Sequence, residues 1–138
     1  DVLERAGAGA AGGLGAALIG LLNAELRPGI DIVMDAVNLN DLVADADLVI
    51  TGEGRIDSQT IHGKTPIGVA RTAKKHFVPV IGISGCLSQD CGVVHEHGID
   101  AVFAVVNRAV DLATAMAEAA ENIELTARNV AAMLTLKI

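Results

Sequence analysis

Continuous apolar runs alternate along this chain with segments in which apolar residues recur every three or four positions. Leu14, Leu18, Leu21 and Leu22 fall at helical spacing and predict a helix that stops near Arg27, because Pro28-Gly29 cannot continue it. Ile30-Asp31-Ile32-Val33-Met34 reads as a strand ending at Asp35, and Asn38 to Val43 as a short helix with Asn38 or Asn40 as its N-cap. Ala46 to Ile50 is the next expected strand, and Pro66 to about His76 the helix after it, with Ile67, Val69, Ala70 and Ala73 inward and Arg71, Lys74 and Lys75 outward. Val78 to Gly85 reads as a buried strand with Pro79 near its start, Asp90 to Glu96 as a short helix closed by Gly98, and Ala101 to Val106 as a fourth strand. From Asp111, a credible N-cap, Leu112, Met116, Ala119, Ile123, Ala127, Val130 and Leu134 follow in steps of three and four and predict a long helix. Helices alternating with continuously apolar strands imply an α/β fold over residues 1–138: three layers, α/β/α, around a mostly parallel, Rossmann-like sheet of about four strands.

One connection breaks the pattern. Thr51-Gly52-Glu53-Gly54-Arg55-Ile56-Asp57-Ser58-Gln59-Thr60, continuing through His62-Gly63-Lys64-Thr65, crowds acids, bases, glycines, hydroxyls and amides between a strand and a helix. Read as a loop, it leaves the carboxyl end of a strand, where open α/β sheets bind ligands. Asp57 and Glu53 can supply a carboxylate that takes a proton or, for Asp57, holds magnesium. Arg55 can clamp a planar carboxylate, and Lys64 can contact a phosphate. An internal ion pair of Arg55 with Glu53 or Asp57 is expected beside any such role.

Composition narrows the partners. The net charge is -7 and aromatics make up 1% of the chain, with Phe77 and Phe103 as the only rings. Both facts argue against a nucleic-acid backbone or base-stacking platform as partner. No run reaches the roughly eighteen apolar residues of a membrane span, and the start, Asp1-Val2-Leu3-Glu4-Arg5, has neither Met nor a signal pattern. The expectation is therefore a cytoplasmic protein whose first residue is an artificial or proteolytic start. Cys86 and Cys91 have no zinc or redox spacing and read as reduced, structural thiols. His95-Glu96-His97 would point two rings apart on a helix, so no metal constellation is expected there.

Glycine patterns compete for a phosphate. Gly7-x-Gly9-x-x-Gly12, with Gly13 following, places open amides before a helix, and Gly7 to Gly12 also matches the dinucleotide fingerprint, with Asp35 where a ribose-binding acid would lie. That match needs a preceding strand, and only residues 1–6 precede it. His62-Gly63-Lys64-Thr65 imitates the end of a Walker A loop, but Ser58 and Pro66 spoil it. Gly82-x-Ser84 begins a nucleophile elbow whose second glycine is replaced by Cys86.

The Gly7 to Gly15 segment, Val49 to Thr60, Gly63-Lys64-Thr65-Pro66-Ile67-Gly68-Val69-Ala70 and Pro79 to Gly85 together resemble the C-terminal part of class I glycerate kinases. The resemblance implies ATP- and magnesium-dependent phosphorylation of D-glycerate to 2- or 3-phosphoglycerate. It makes Asp57, Arg55, Glu53 and Lys64 catalytic candidates and Arg55, Ser58 and Gln59 substrate contacts. Gly7, Gly9, Gly12, Gly13, Gly52 and Gly54 become cofactor contacts, and Asp57 a magnesium ligand. Chains of that family are longer and two-lobed, so this one reads as a C-terminal fragment or one lobe, inactive alone, whose partners are glycerate and the missing N-terminal part, with room for a homo-oligomer. A non-catalytic ligand-binding or assembly module, and a dinucleotide oxidoreductase domain, are the other readings carried forward.

Overall fold

The computed structural model describes residue 2 and residues 4–137. Its centre is a parallel sheet of three strands, β1 (Val49–Ile56), β2 (Val80–Leu87) and β3 (Ala101–Ala104), in that spatial order. The register is set at Val49 opposite Val80 and at Ile81 opposite Ala101. Helices flank the sheet as in a three-layer α/β/α fold, with one strand fewer than expected.

The missing strand is Ile30–Met34, which lies inside helix α2 (Gly29–Ala36). Five residues with apolar positions at both alternate and fourth places satisfy either period. Packing decides between them: Ile30 and Met34, one helical turn apart, both close on Gly68, where an added methyl would meet Ile30 at 2.6 Å and Met34 at 3.5 Å. Helix α1 (Ala10–Leu22) stops earlier than Pro28-Gly29 required, and it buries Gly15 and Ile19 while Leu14, Leu21 and Leu22 face out. The short α3 (Leu39–Ala44) follows Asn38 as expected, although Asn38 bonds the Asp41 carboxylate through its side-chain amide and makes no cap bond.

Helix α4 (Thr65–Lys75) carries Pro66 in its first turn and covers the sheet with Ile67, Ala70 and Ala73. These meet Val43, Ile56, Val78, Val80, Val94 and Ile99 in the core. After β2, a 3-10 turn (Cys91–His97) ends at Gly98 in the left-handed region, as expected of a helix stop. Asp111 does cap the last helical segment, accepting from the Thr114 N–H at 2.7 Å. The helix breaks at Glu118, however, into α5 (Leu112–Ala117) and α6 (Ala119–Leu134). Arg108 grips the Glu118 carboxylate with bonds of 2.6 and 2.7 Å. The break rotates the buried face of α6 to Asn122 and Val130 and leaves Leu112, Met116, Ile123 and Leu134 exposed.

Candidate functional site at the carboxyl end of the sheet

The polar stretch expected as a loop begins as strand. Thr51 to Ile56 continue β1, pairing with Gly82 to Leu87 of β2. β1 is an edge strand of this sheet, and an edge strand tolerates polar side chains that a central one would have to bury. Gly52 is needed for this pairing, because a methyl there would lie 2.1 Å from the Ile83 carbonyl oxygen. Gly54 has open space on its Cβ side, so its backbone is accessible.

The chain leaves the sheet at Asp57. Its carboxylate accepts from the Gln59 N–H at 2.9 Å, while the Thr60 hydroxyl accepts from the Asp57 N–H at 3.1 Å. This capping box starts a 3-10 turn, Ser58–Ile61. Thr60 is fully buried, and its hydroxyl proton goes to Glu53 Oε1 at 2.7 Å. Glu53 is thus fastened to the turn behind Asp57. Gly63, at φ +81, then bends the chain through a conformation that a side chain would resist, and Lys64 returns to the start of the turn.

Asp57 therefore sits between two cations: Lys64 Nζ lies 3.3 Å from Oδ1 and Arg55 Nε 3.5 Å from Oδ2. The Asp57 side chain is 18% exposed, against 38% for Lys64 and 62% for Arg55, so the anion is sheltered and the cations face outward. Desolvation pushes the Asp57 carboxyl up, but the Lys64 bond and charge, the Gln59 N–H and the Arg55 charge together outweigh it and hold the group below its ordinary value. It is ionised at neutral pH.

A second carboxylate joins from the exit of β2. Ser88 anchors that exit on β1 by donating its N–H to the Ile56 carbonyl at 3.1 Å, and its hydroxyl donates to Asp90. The Ser58 hydroxyl and, with it, Ser88 hold the Asp90 carboxyl at about 2. Sequence reasoning placed Asp90 at a helix start and missed its place at this edge. The available signal was that β1 and β2, adjacent and parallel, must release Asp57-Ser58 and Ser88-Gln89-Asp90 at the same edge.

Of the expected residues, Glu53, Arg55, Asp57, Ser58 and Lys64 come together here. The Gln59 backbone joins them while its side chain stays exposed. The Gly7–Gly13 segment makes no hydrogen bond or ion pair to this cluster among the described residues. It does have an unusual backbone: Gly7, Ala11, Gly12 and Gly13 all have positive φ, and Gly9, Gly12 and Gly13 have no atom near a would-be Cβ. The dinucleotide fingerprint loses its context, since turn residues precede Gly7 among the described residues and Asp35 lies on α2, ion-paired with Arg27. Cys86 and Cys91 are free thiols; Cys86, opposite Arg55 in the sheet, is exposed and not a core residue. No group of three potential metal ligands forms among the described residues. A magnesium site would have to rest on Asp57, with phosphate oxygens completing it; a phosphate-bound magnesium commonly takes only one or two carboxylates, so the residues fit. A cavity of about 520 Å³ lies elsewhere, lined by Arg27, Asp31, Asp35, Asn38, Thr72 and Lys75 among others. No described helix is long and apolar enough to cross a membrane.

A parallel α/β sheet with paired charges at its carboxyl edge defines an α/β protein whose polar cluster lies where open sheets of this class bind ligands. The family is shown by comparison: the sequence model of the glycerate kinase family matches residues 1–135, and the chain belongs to that family. It is 61% identical to a glycerate kinase of Bacillus subtilis (strain 168) over 94% of its own length and 34% of the relative's. It is 58% identical to a glycerate 2-kinase of Escherichia coli (strain K12) over 99% of its length and 36% of that protein's. A crystal structure described as glycerate kinase 2 from Salmonella typhimurium LT2 superposes with a TM-score of 0.76 at 58% identity, over 97% of this chain and 34% of the other. The chain thus spans about a third of the relatives it matches.

Proposed function

We propose that this chain carries part of the active site of a glycerate kinase, which moves the γ-phosphoryl group of ATP to D-glycerate and yields 2- or 3-phosphoglycerate. The observation that carries this reading is the sheltered Asp57 carboxylate between outward-facing Arg55 and Lys64, in a chain of the glycerate kinase family.

In the transfer, a glycerate hydroxyl oxygen bonds to the γ-phosphorus as the bond to the ADP oxygen breaks, and the hydroxyl proton leaves to a base. Asp57 is ionised and takes that role. Arg55 forms an ion pair with Asp57 on its Nε side, and its terminal nitrogens clamp the glycerate carboxylate. Ser58 and Gln59 contact the remaining oxygens of glycerate, and Lys64 offsets charge on the moving phosphoryl group. Glu53 contributes through Thr60, by holding the turn. The amides of Gly7, Gly9, Gly12 and Gly13, with the open backbone at Gly54 and its neighbour Gly52, are the phosphate contacts for ATP. Asp57 would be the residue to hold magnesium, which would supply neutralisation of phosphate charge there.

The other two-thirds of a family-length chain is the required partner, and this chain alone is inactive. The protein acts in the cytoplasm, and a homo-oligomer is compatible with this assignment. The test is ADP release coupled to a dye, measured with D-glycerate on this chain alone and on a family-length chain containing it. Glycerate-dependent ADP release only from the longer chain is expected. Its absence there would leave a non-catalytic module as the better reading.

A further inference from the structure

Val102 packs against the core beneath α4, so its neighbour Phe103 faces the other side of the sheet. There α6 runs past β3 with Leu125, Asn129 and Met133 in steps of four, and a cavity of about 230 Å³ lies between helix and strand. No charged side chain lines it, unlike the larger cavity at Arg27, Asp31, Asp35 and Lys75. Leu125 and Met133 are each still 43% exposed, so the helix does not fill the space. Drug-sized ligands occupy roughly 300–1,000 Å³, and this smaller space suits one fused ring. The slot shares the carboxyl end of the sheet with Asp57. Ala104, Ser84 and Glu53 stand in one row across β3, β2 and β1, a width of two strand spacings or roughly 10 Å. Beyond Ala104 the chain stays beside β2, with the Val105 N–H donating to the Ser84 carbonyl at 2.8 Å, and then reaches Asn107 at the slot. The Asn107 amide donates to Oδ1 of buried Asn122 at 3.1 Å, which sets its orientation; among the described residues nothing donates to Asn107 Oδ1.

We propose that this slot between β3 and α6 is the subsite for the adenine base of ATP. The assignment rests on the glycerate kinase reading above and adds to it the place of the base. Glycerate and the triphosphate are charged, and an uncharged, mostly apolar wall would only strip them of water. The base is flat and apolar on its faces and polar at its edge. Phe103 offers it a ring, Met133 a polarisable thioether and Leu125 an aliphatic side. Asn107 Oδ1 accepts from the exocyclic amino group of adenine. A base with a carbonyl at that position would set two acceptors against each other, so the same atom gives selectivity. The row from Ala104 to Glu53 is then the short path for ribose and phosphates toward the open backbone of Gly54 and toward Lys64.

The experiment is calorimetric titration of a family-length chain with ADP and with IDP, whose base carries a carbonyl in place of the amino group. Wild type, Leu125→Trp and Asn107→Ala are compared, with the thermal midpoint and the KM for D-glycerate of each. Wild type should bind ADP about tenfold more tightly than IDP, the scale of one hydrogen bond made against one acceptor left unpaired. Leu125→Trp fills the slot from an exposed position and should weaken ADP by about tenfold or more, with KM for D-glycerate changed by less than about twofold. Asn107→Ala should bring ADP and IDP within about twofold of each other. ADP binding left unchanged by Leu125→Trp overturns the proposal. So does equal binding of ADP and IDP by wild type, or an Asn107→Ala variant that keeps the wild-type ratio. Should Leu125→Trp not fold, the ADP-to-IDP ratios of wild type and Asn107→Ala decide alone. Wild type that binds ADP yet releases none from ATP in response to glycerate is a different result: it removes the glycerate kinase reading, while the two ratios still judge the slot.

Discussion

Lys64 reaches back over the Ser58–Ile61 turn to set its ammonium 3.3 Å from the carboxylate of Asp57, the residue that caps that turn. One carboxylate thus performs two tasks, a helical cap with one oxygen and an ion-pair partner with both. The tasks separate under substitution. Asparagine at position 57 still accepts from the Gln59 N–H, since Asn and Asp cap equally well, but it carries no charge. Asp57→Asn in a family-length chain should leave the thermal midpoint within a few degrees and reduce kcat by about a hundredfold or more, the scale of losing a positioned general base. Near-normal turnover would remove Asp57 from the chemistry.

Thr60 gives a test of what holds the site in shape. It is fully buried, donates to Glu53 and accepts from the Asp57 N–H. Thr60→Val keeps the volume and strips both bonds, leaving a carboxylate and a backbone N–H without their partner. The expected cost is about 1 to 3 kcal/mol, read as a lower urea midpoint at unchanged slope. Thr60→Ser should retain most of the stability, and a Val variant as stable as wild type would show that the bonds to Glu53 and Asp57 contribute nothing net.

What could be read in the sequence followed burial. β2 and α4 were legible because each buries a continuous or periodic apolar set, β3 because its apolar run is unbroken although only half-buried, and Asp111 announced its helix by a cap that the fold keeps. Ile30 to Met34 was not, because five residues fit two periods and only contact with Gly68 chooses. The carboxyl half of β1 was hidden by its polarity: Glu53 and Arg55 look like loop, yet pair as edge strand with Ser84 and Cys86. Crowded charge marked Asp57, Arg55 and Lys64 as a cluster. Asp90 carried no such mark, since its place beside the β1 exit depends on two strand exits being neighbours.

The two glycines of β1 should respond oppositely to alanine. A methyl at Gly52 would sit 2.1 Å from the Ile83 carbonyl oxygen, backbone against backbone, so the paired strands must separate. At Gly54 a methyl meets nothing within 4 Å. Gly52→Ala should destabilise by about 1 to 3 kcal/mol or more, while Gly54→Ala should leave stability within about 0.5 kcal/mol. If Gly54 also exposes its backbone to ATP, Gly54→Ala in a family-length chain should raise KM for ATP severalfold at normal stability. Equal stabilities for the two variants would contradict the strand pairing.

Acid should act on Asp90, at the exit of β2. Asp90 has its carboxyl lowered from 3.8 to about 2, by Ser58 first and then Ser88. The folded value lies below the unfolded one, so the folded state binds the proton less readily and protonation favours unfolding. The contribution of Asp90 is fully present above about pH 4, where the carboxyl is ionised in both states. It falls away as pH drops from there through about 2. Asp57, also lowered, adds loss in the same direction. The difference in stability between wild type and Asp90→Asn, measured by urea unfolding, should therefore be constant from about pH 7 to 5 and shrink steadily below about pH 4. A difference that stays constant down to pH 2, or that changes near neutrality, would mean that the carboxylate of Asp90 is not held by the serines.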